Sequence, residues 1–289
     1  MNAIDFNSHK NSIIRIFYQE DVVGIGFLVA EKYALTCAHV VTEALLLNNS
    51  SISNIPDGKI QVDFPLANST EKIKATVVYW YPTSDLNSDV VIEDIAVLKL
   101  EHLPSHAQPT RLILSDNISK HPFKVFGCPQ GVSFGVWATG VLSEQNAKQW
   151  VQLEDTKVTG YAIAKGFSGS PVWDEQLQGV VGMVVAADSR REVAKAAFMI
   201  PNQILVKAWQ YLESVVIESK PIEKPGKPAL LPAKKKFLEQ RKQQFEENIE
   251  AVSKQMSFES NLSNYLNLER QITFYFEELE NIERELSDF

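Results

Sequence analysis

From residue 11 to about residue 201, short β-branched and aromatic runs alternate with turn residues. The runs include SIIRIFY (12–18), VVGIGFLVA (22–30), KIKATVVYWY (72–81), DIAVLKL (94–100), FKVFGC (123–128), VWATGVLS (136–143) and GVVGMVVA (179–186). Many short strands separated by turn signals predict a sandwich or a pair of barrels. Helical periodicity is scarce in this part of the chain. It occurs in a turn after His39 and in NQILVKAWQYLESV (202–215), where Ile204, Leu205, Ala208 and Leu212 share a face and predict a closing helix on the β body.

The pattern changes at SKPIEKPGKPALLPAKKK (219–236), which carries Pro221, Pro225, Pro228 and Pro232 among lysines. Proline cannot continue a helix and stiffens the chain toward polyproline II, so a semi-rigid linker is predicted here. Beyond it the period is helical. Leu238, Phe245, Ile249, Val252 and Met256 form one apolar seam. Tyr265, Leu268, Ile272, Tyr275, Leu279, Ile282, Leu286 and Phe289 form a second, in steps of three and four. A Ser- and Asn-rich break over 257–264 predicts two antiparallel helices. The expected organisation is a β domain over 1–218, a Pro/Lys-rich linker over 219–233 and a helical hairpin over 234–289.

Charge and composition narrow the function. Of 289 residues 45% are hydrophobic and 22% charged, as in ordinary globular proteins, and the net charge of -8 argues against a nucleic-acid surface. The two cysteines, Cys37 and Cys128, are too few for a disulfide framework. The N-terminal residues lack a basic segment followed by a long apolar one, and no run approaches the ~20 apolar residues that span a bilayer. These features predict a cytoplasmic location. Without CxxC, HExxH or an EF-hand loop, neither a metal nor another cofactor is expected. The glycines of VVGIGF (22–27) sit in a predicted strand and lack the helix that a nucleotide loop needs.

Three segments carry candidate chemistry: ALTCAHVV (34–41), EDIAVLKL (93–100) and KGFSGSPVWD (165–174). A serine is a weak nucleophile and needs a base, which assigns that role to His39, with Asp94 to hold its tautomer. Glycines on both sides of Ser168 let the backbone turn tightly, so the amides of Gly166 and Ser168 can face a developing oxyanion. His9, His102, His106 and His121 lack comparable contexts and are expected at the surface.

In order and in kind, these segments resemble the TAAHC-like, DIALLKL-like and GDSGGP-like signatures of the trypsin-like serine peptidases, over roughly residues 11–215. GFSGSPVW and the stretch over 150–161 are similar to bacterial intracellular members, which are often fused to helical effector-associated adaptors in conflict systems. The tail is similar in character to such adaptors. The resemblance implies a mainly β, two-barrel chymotrypsin-like fold with a C-terminal helical hairpin. It also implies a serine endopeptidase with a His39, Asp94 and Ser168 triad, acting on protein substrates.

The departures from the family pattern are specific. Phe167 stands where secreted zymogens carry an aspartate that pairs with a newly cut N-terminus. The first strand begins close to residue 1, so control by a propeptide is not expected. Gly182 replaces a serine that commonly supports the triad aspartate, and Cys37 is a small buried residue, not half of a bridge. By alignment on Ser168, Ala162 falls at the base of the specificity pocket, with Gly182, Met183, Val184 and Ala197 as walls. That pocket is uncharged and is expected to prefer apolar or small P1 side chains.

Two function classes remain. One is an endopeptidase effector recruited or activated through the helical tail, by a protein partner or by self-association. The other is a catalytically silent protease-fold scaffold for protein interaction, to which Gly182 and Phe167 are the pointers.

Overall fold

The computed structural model describes residues 6–47, 54–67, 69, 71–83, 92–155, 160–187, 196–218, 230–258, 260 and 262–287. The chain divides into two compact units, 1–219 and 220–289.

The first unit opens with a short helix α1 (Phe6–Ser12) and the strands β1 (Ile13–Tyr18), β2 (Asp21–Ala30) and β3 (Tyr33–Thr36). Helix α2 (Ala38–Ala44) follows, then β4 (Ile60–Asp63), β5 (Ile73–Tyr81) and β6 (Ile95–Leu100). These six strands close a barrel in the order β1-β2-β3-β6-β5-β4. Of the sandwich and the barrel pair that the alternating pattern left open, the chain forms a barrel here, with inward residues such as Ile14, Ile16, Phe27, Leu35, Val62, Ile73 and Leu98 removed from solvent. The Arg15 guanidinium forks onto the Asp63 carboxylate between β1 and β4, its Nε donating at 2.8 Å.

The second half contributes β7 (Leu112–Leu114), β8 (Pro122–Gly127), β9 (Val136–Gln145), β10 (Val151–Glu154), β11 (Pro171–Asp174), β12 (Gly179–Ala187) and β13 (Ala196–Pro201). Strands β8, β9, β10, β13, β12 and β11 pair in a ring, which makes a second six-stranded antiparallel barrel. Its core includes Phe123, Val125, Leu142, Leu153, Phe167, Val172, Val184 and Met199. Strand β7 and a last strand β14 (Val216–Glu218) run parallel to each other outside the ring. A third cluster joins the barrels, with Ile13 and Ile25 from the first against Phe126 and Cys128 from the second.

The predicted closing helix is shorter than its periodicity implies. Helix α3 (Asn202–Ala208) stops where Trp209 turns extended, and a 3-10 turn covers Gln210–Ser214. Aromatic packing overrides the helix there. Trp209 stacks on Tyr211 at 4.7 Å and lies 5.8 Å from Tyr33 of the first barrel.

The second unit is an antiparallel pair, α4 (Leu230–Phe258) and α5 (Leu262–Ser287). Arg241 pairs with Glu278 and Lys242 with Glu283, while Phe245 meets Tyr275, which fixes the antiparallel register. Leu238, Phe245, Val252, Leu268 and Ile282 are buried as the seams predicted, whereas Tyr265 is 39% exposed, three residues from the start of α5. Most of the expected linker lies outside the described residues. Its end, however, is already helical: α4 begins at 230, not 234, because Pro232 falls in the first turn, where no amide N–H is required. Among the described residues no helix is long and apolar enough to cross a membrane.

Two histidines depart from the expected surface positions. His121 is half-buried and bonds through Nδ1 to the fully buried Asp174 carboxylate at 2.7 Å. His9 is 1% exposed, enclosed by the rings of Phe6, Trp137 and Trp173. Its Nδ1 lies 3.2 Å from the Thr110 hydroxyl, and its Nε2 has no partner among the described residues. A helix this short carries no periodicity to reveal that it docks.

Burial, and next the Lys10 charge, hold the His9 pKa down from 6.5 to about 3. A lowered histidine pKa stabilises the docked helix fully above 6.5, and the contribution is lost as pH falls from there toward 3, at about 1.4 kcal/mol per pH unit. Acidification through that window is therefore expected to speed amide exchange over residues 6–12 and to change Trp137 and Trp173 fluorescence. A His9→Phe variant should flatten both responses, which exchange mass spectrometry and fluorescence titration will measure.

Candidate active site

Helix α2 starts directly after β3, so His39 sits in its first turn at the end of a buried strand. Asp94 precedes β6, the neighbour of β3 in the barrel. One carboxylate serves both backbone and side chain of His39. Oδ1 accepts the His39 backbone N–H at 2.9 Å, and Oδ2 lies 2.7 Å from Nδ1. The first bond satisfies an amide that a helix N-terminus leaves unpaired, and the second fixes the ring tautomer. Asp94 is 4% exposed and has the left-handed φ of 58°, while the His39 side chain is 37% exposed.

Burial pulls the His39 pKa down. The Asp94 charge and hydrogen bond, with Glu43 adding to them, outweigh burial and the opposing Lys165 charge, so the net shift is upward.

Ser168 lies on two linked turns. The Phe167 N–H donates to the Ala164 carbonyl at 3.1 Å, and the Ser170 N–H donates to the Phe167 carbonyl at 3.0 Å. The third residue of each turn is a glycine with positive φ, Gly166 at 100° and Gly169 at 83°. A type II turn requires a positive φ at that place, so the three-residue spacing of the glycines encodes the double turn. Space enforces the same choice. A Cβ on Gly166 would lie 2.2 Å from the Cys128 carbonyl oxygen, and one on Gly169 would lie 1.9 Å from that of Ile25.

The turn is bonded to both barrels. The Ile25 N–H donates to the Ser168 carbonyl at 2.9 Å, and the Cys128 N–H to the Gly166 carbonyl at 2.9 Å. The Val184 carbonyl accepts the Gly169 N–H at 2.8 Å and the Cys37 thiol at 3.2 Å, which links the serine turn to the residue that starts the histidine helix. Among the described residues, the amides of Gly166 and Ser168 have no backbone acceptor. The His39 ring and the Ser168 hydroxyl are not hydrogen-bonded to each other, a bond that often tightens only when substrate is present.

Phe167 is fully buried in the second barrel's core, and a Cβ on Gly127 would touch its ring at 2.3 Å. The residue before the serine thus anchors the turn by apolar packing. Cys37 is buried and free, its Sγ within 4.8 Å of the ligand atoms of His39 and Asp94. Burial first, and then Asp94, hold that thiol well above its ordinary pKa, so it keeps its proton and is a poor metal ligand.

Gly182 is paired with Val172 and Pro201 in β12, and a Cβ there would lie 2.5 Å from the Ile200 carbonyl oxygen. The Cys37 thiol lies beside the Asp94 carboxylate. The five expected pocket residues are not gathered round either described cavity. Ala162 is exposed, Met183 and Val184 are buried in the barrel, and Ala197 borders a small void of about 10 Å³. The larger cleft, about 520 Å³, opens beside Gly166 and is bordered by Asp21, Glu43, Pro129, Gly131 and Lys165. Sequence reasoning missed these residues, because β2, α2 and the β8–β9 loop meet only in the folded chain.

Two antiparallel six-stranded barrels, with a histidine–aspartate pair on one and a glycine-flanked serine at the seam, define a chymotrypsin-type serine peptidase fold. The trypsin-like peptidase domain family matches residues 24–183, and the chain belongs to that family. Residues 230–289 match effector-associated domain 9. No curated protein matches the chain.

Among solved structures, Deg5 superposes with a TM-score of 0.50 at 20% identity, over 72% of this chain and 91% of that one. The inactive form of Rv3671c from M. tuberculosis gives 0.49 at 18% identity, over 77% and 94%. The serine endoprotease from Yersinia pestis gives 0.49 at 17%, over 73% and 67%. At this identity the Deg5 likeness supports the fold alone.

Replacing Phe167 with alanine is expected to destabilise the first unit by about 3–5 kcal/mol, the usual cost of removing a buried phenylalanine ring. Denaturant unfolding followed by tryptophan fluorescence will check it. A loss below about 1 kcal/mol would mean that the ring does not anchor the serine turn.

Proposed function

We propose that the chain is a serine endopeptidase in which Ser168 attacks the scissile carbonyl and His39 takes the hydroxyl proton. Asp94 holds the His39 ring through Nδ1 and stabilises the imidazolium that forms. The amide N–H groups of Gly166 and Ser168 stabilise the oxyanion of the tetrahedral intermediate. Its collapse breaks the peptide bond, and His39 passes the proton to the leaving amine. Water, deprotonated by the same imidazole, then attacks the acyl-enzyme and releases Ser168. The observation that carries this reading is the Asp94 carboxylate bonded to both the backbone and the ring of His39, beside a serine turn whose two glycines leave both amides without a backbone acceptor.

The domain order we assign is a peptidase domain over 1–218, a linker and a helical adaptor near the C-terminus. The adaptor leaves Phe258, Leu266 and Phe276 exposed by 80%, 45% and 54%. Apolar residues on a helical pair suit a protein partner or a second copy. With an effector-associated domain at that end, the chain fits a cytoplasmic effector in a bacterial defence assembly, recruited or activated through its tail.

A fluorophosphonate probe tests the chemistry directly. The wild-type chain is expected to be labelled, Ser168→Ala not at all, and Gly166→Ala at least ~100-fold more slowly, since its Cβ would collide with the Cys128 carbonyl and swing the 166 amide N–H away from the oxyanion. Labelling that survives Ser168→Ala would place the nucleophile elsewhere. A folded wild-type chain that resists the probe even with its partner bound would favour the silent-scaffold alternative.

A further inference from the structure

The residue before Asp94 has a partner that the chemistry above leaves unused. Glu93 is 5% exposed, and its carboxylate forms an ion pair with the Lys148 ammonium. Glu93 belongs to the first barrel. Lys148 lies in the turn between β9 and β10 of the second, so the pair crosses the seam within one residue of Asp94.

Lys148 is held in place before it meets Glu93. Asn146 Oδ1 accepts the Lys148 N–H at 2.9 Å and the Trp150 N–H at 3.1 Å, and the Asn146 N–H donates to the Trp150 carbonyl at 2.9 Å. Gln149 supplies the left-handed residue of this turn, with φ of 60°. The ammonium itself lies 5.3 Å from the centre of the Trp150 ring. These bonds fix the backbone from which Lys148 reaches Glu93.

Asp94 needs such support. Its φ of 58° lies in the left-handed region, which costs even an aspartate energy relative to the usual conformations, so bonds that hold this turn bear directly on its carboxylate. On its own amide the restraint is a long bond, 3.2 Å to the Pro82 carbonyl. The chain turns sharply there, sending one carboxylate to Lys148 and the next to His39.

We infer that Lys148 is a positioning residue: by holding Glu93 across the barrel seam it fixes the backbone at Asp94, and so the carboxylate that orients His39. The inference rests on the triad reading above. It makes the tip of the β9–β10 hairpin part of the catalytic apparatus without contact with substrate.

The test is NMR titration of His39 in the full chain, with observation of its Nδ1–H proton. Fluorophosphonate labelling is followed against pH in parallel. The charged or titratable groups facing His39 are Asp94, Glu43 on its own helix, Lys165 on the serine turn and the Cys37 thiol. Lys148→Met should lower the His39 midpoint toward its unperturbed value and weaken the Nδ1–H signal. It should slow labelling roughly tenfold, with the acid limb moved to lower pH. Lys148→Arg should keep all three near wild type.

Because Lys148→Met strands a buried carboxylate, the double variant Glu93→Gln, Lys148→Met controls for folding. It should melt near wild type and still show the lowered His39 midpoint. A structural role alone would lower the melting temperature without moving that midpoint. A folded single or double variant with a wild-type midpoint and Nδ1–H signal overturns the inference. A wild-type chain that the probe does not label counts against Ser168 as nucleophile, and the NMR comparison still decides the role of Lys148.

Discussion

The two barrels meet at Gly169 with no space for a side chain. Its Cα packs against the Ile25 carbonyl, while the neighbouring Ser168 carbonyl accepts the Ile25 N–H and the Gly169 N–H is held by Val184. Ser168 comes from the second barrel and His39 from the first, so their relation depends on this contact. Glycine satisfies it twice over, by accepting a positive φ and by lacking the Cβ that would collide. The apolar seam of Ile13, Ile25, Phe126 and Cys128 then keeps water out of the same junction.

Anchoring differs on the two sides of the junction. On the serine side it is apolar: Phe167 fills the second core against Gly127, which burial stabilises by about 2–3 kcal/mol independently of pH. On the histidine side it is electrostatic. One carboxylate, Asp94, caps the start of α2, fixes the imidazole and outweighs the desolvation of that ring. The fold holds that carboxylate in place by burying Asp94, 4% exposed, between two donors of His39.

Much of this was legible in the sequence because it follows local rules. Strand alternation gave the β elements and their inward faces, while the choice of two barrels over a sandwich came from the family resemblance. The glycine spacing around Ser168 is a turn requirement and can be read without a structure. The helical seams of the tail are likewise local, as Leu238, Phe245, Val252, Leu268 and Ile282 illustrate. Where local rules competed with packing, reading failed. His9 looked like a surface residue because a seven-residue helix has no period to reveal the aromatic enclosure around it. Pro232 looked like a linker residue although the first turn of a helix tolerates it.

The sequence by itself determined the elements, the order of His39, Asp94 and Ser168, and the turn on which the serine sits, because each depends on neighbours a few residues away. The tertiary structure alone decided which groups surround those residues. The thiol beside Asp94 is that of Cys37. The cleft beside Gly166 is bordered by β2, α2 and the β8–β9 loop, and Glu93 is held by Lys148 some fifty-five positions along the chain. Those contacts are set by barrel closure and by the register of one barrel against the other, which no short window of sequence contains.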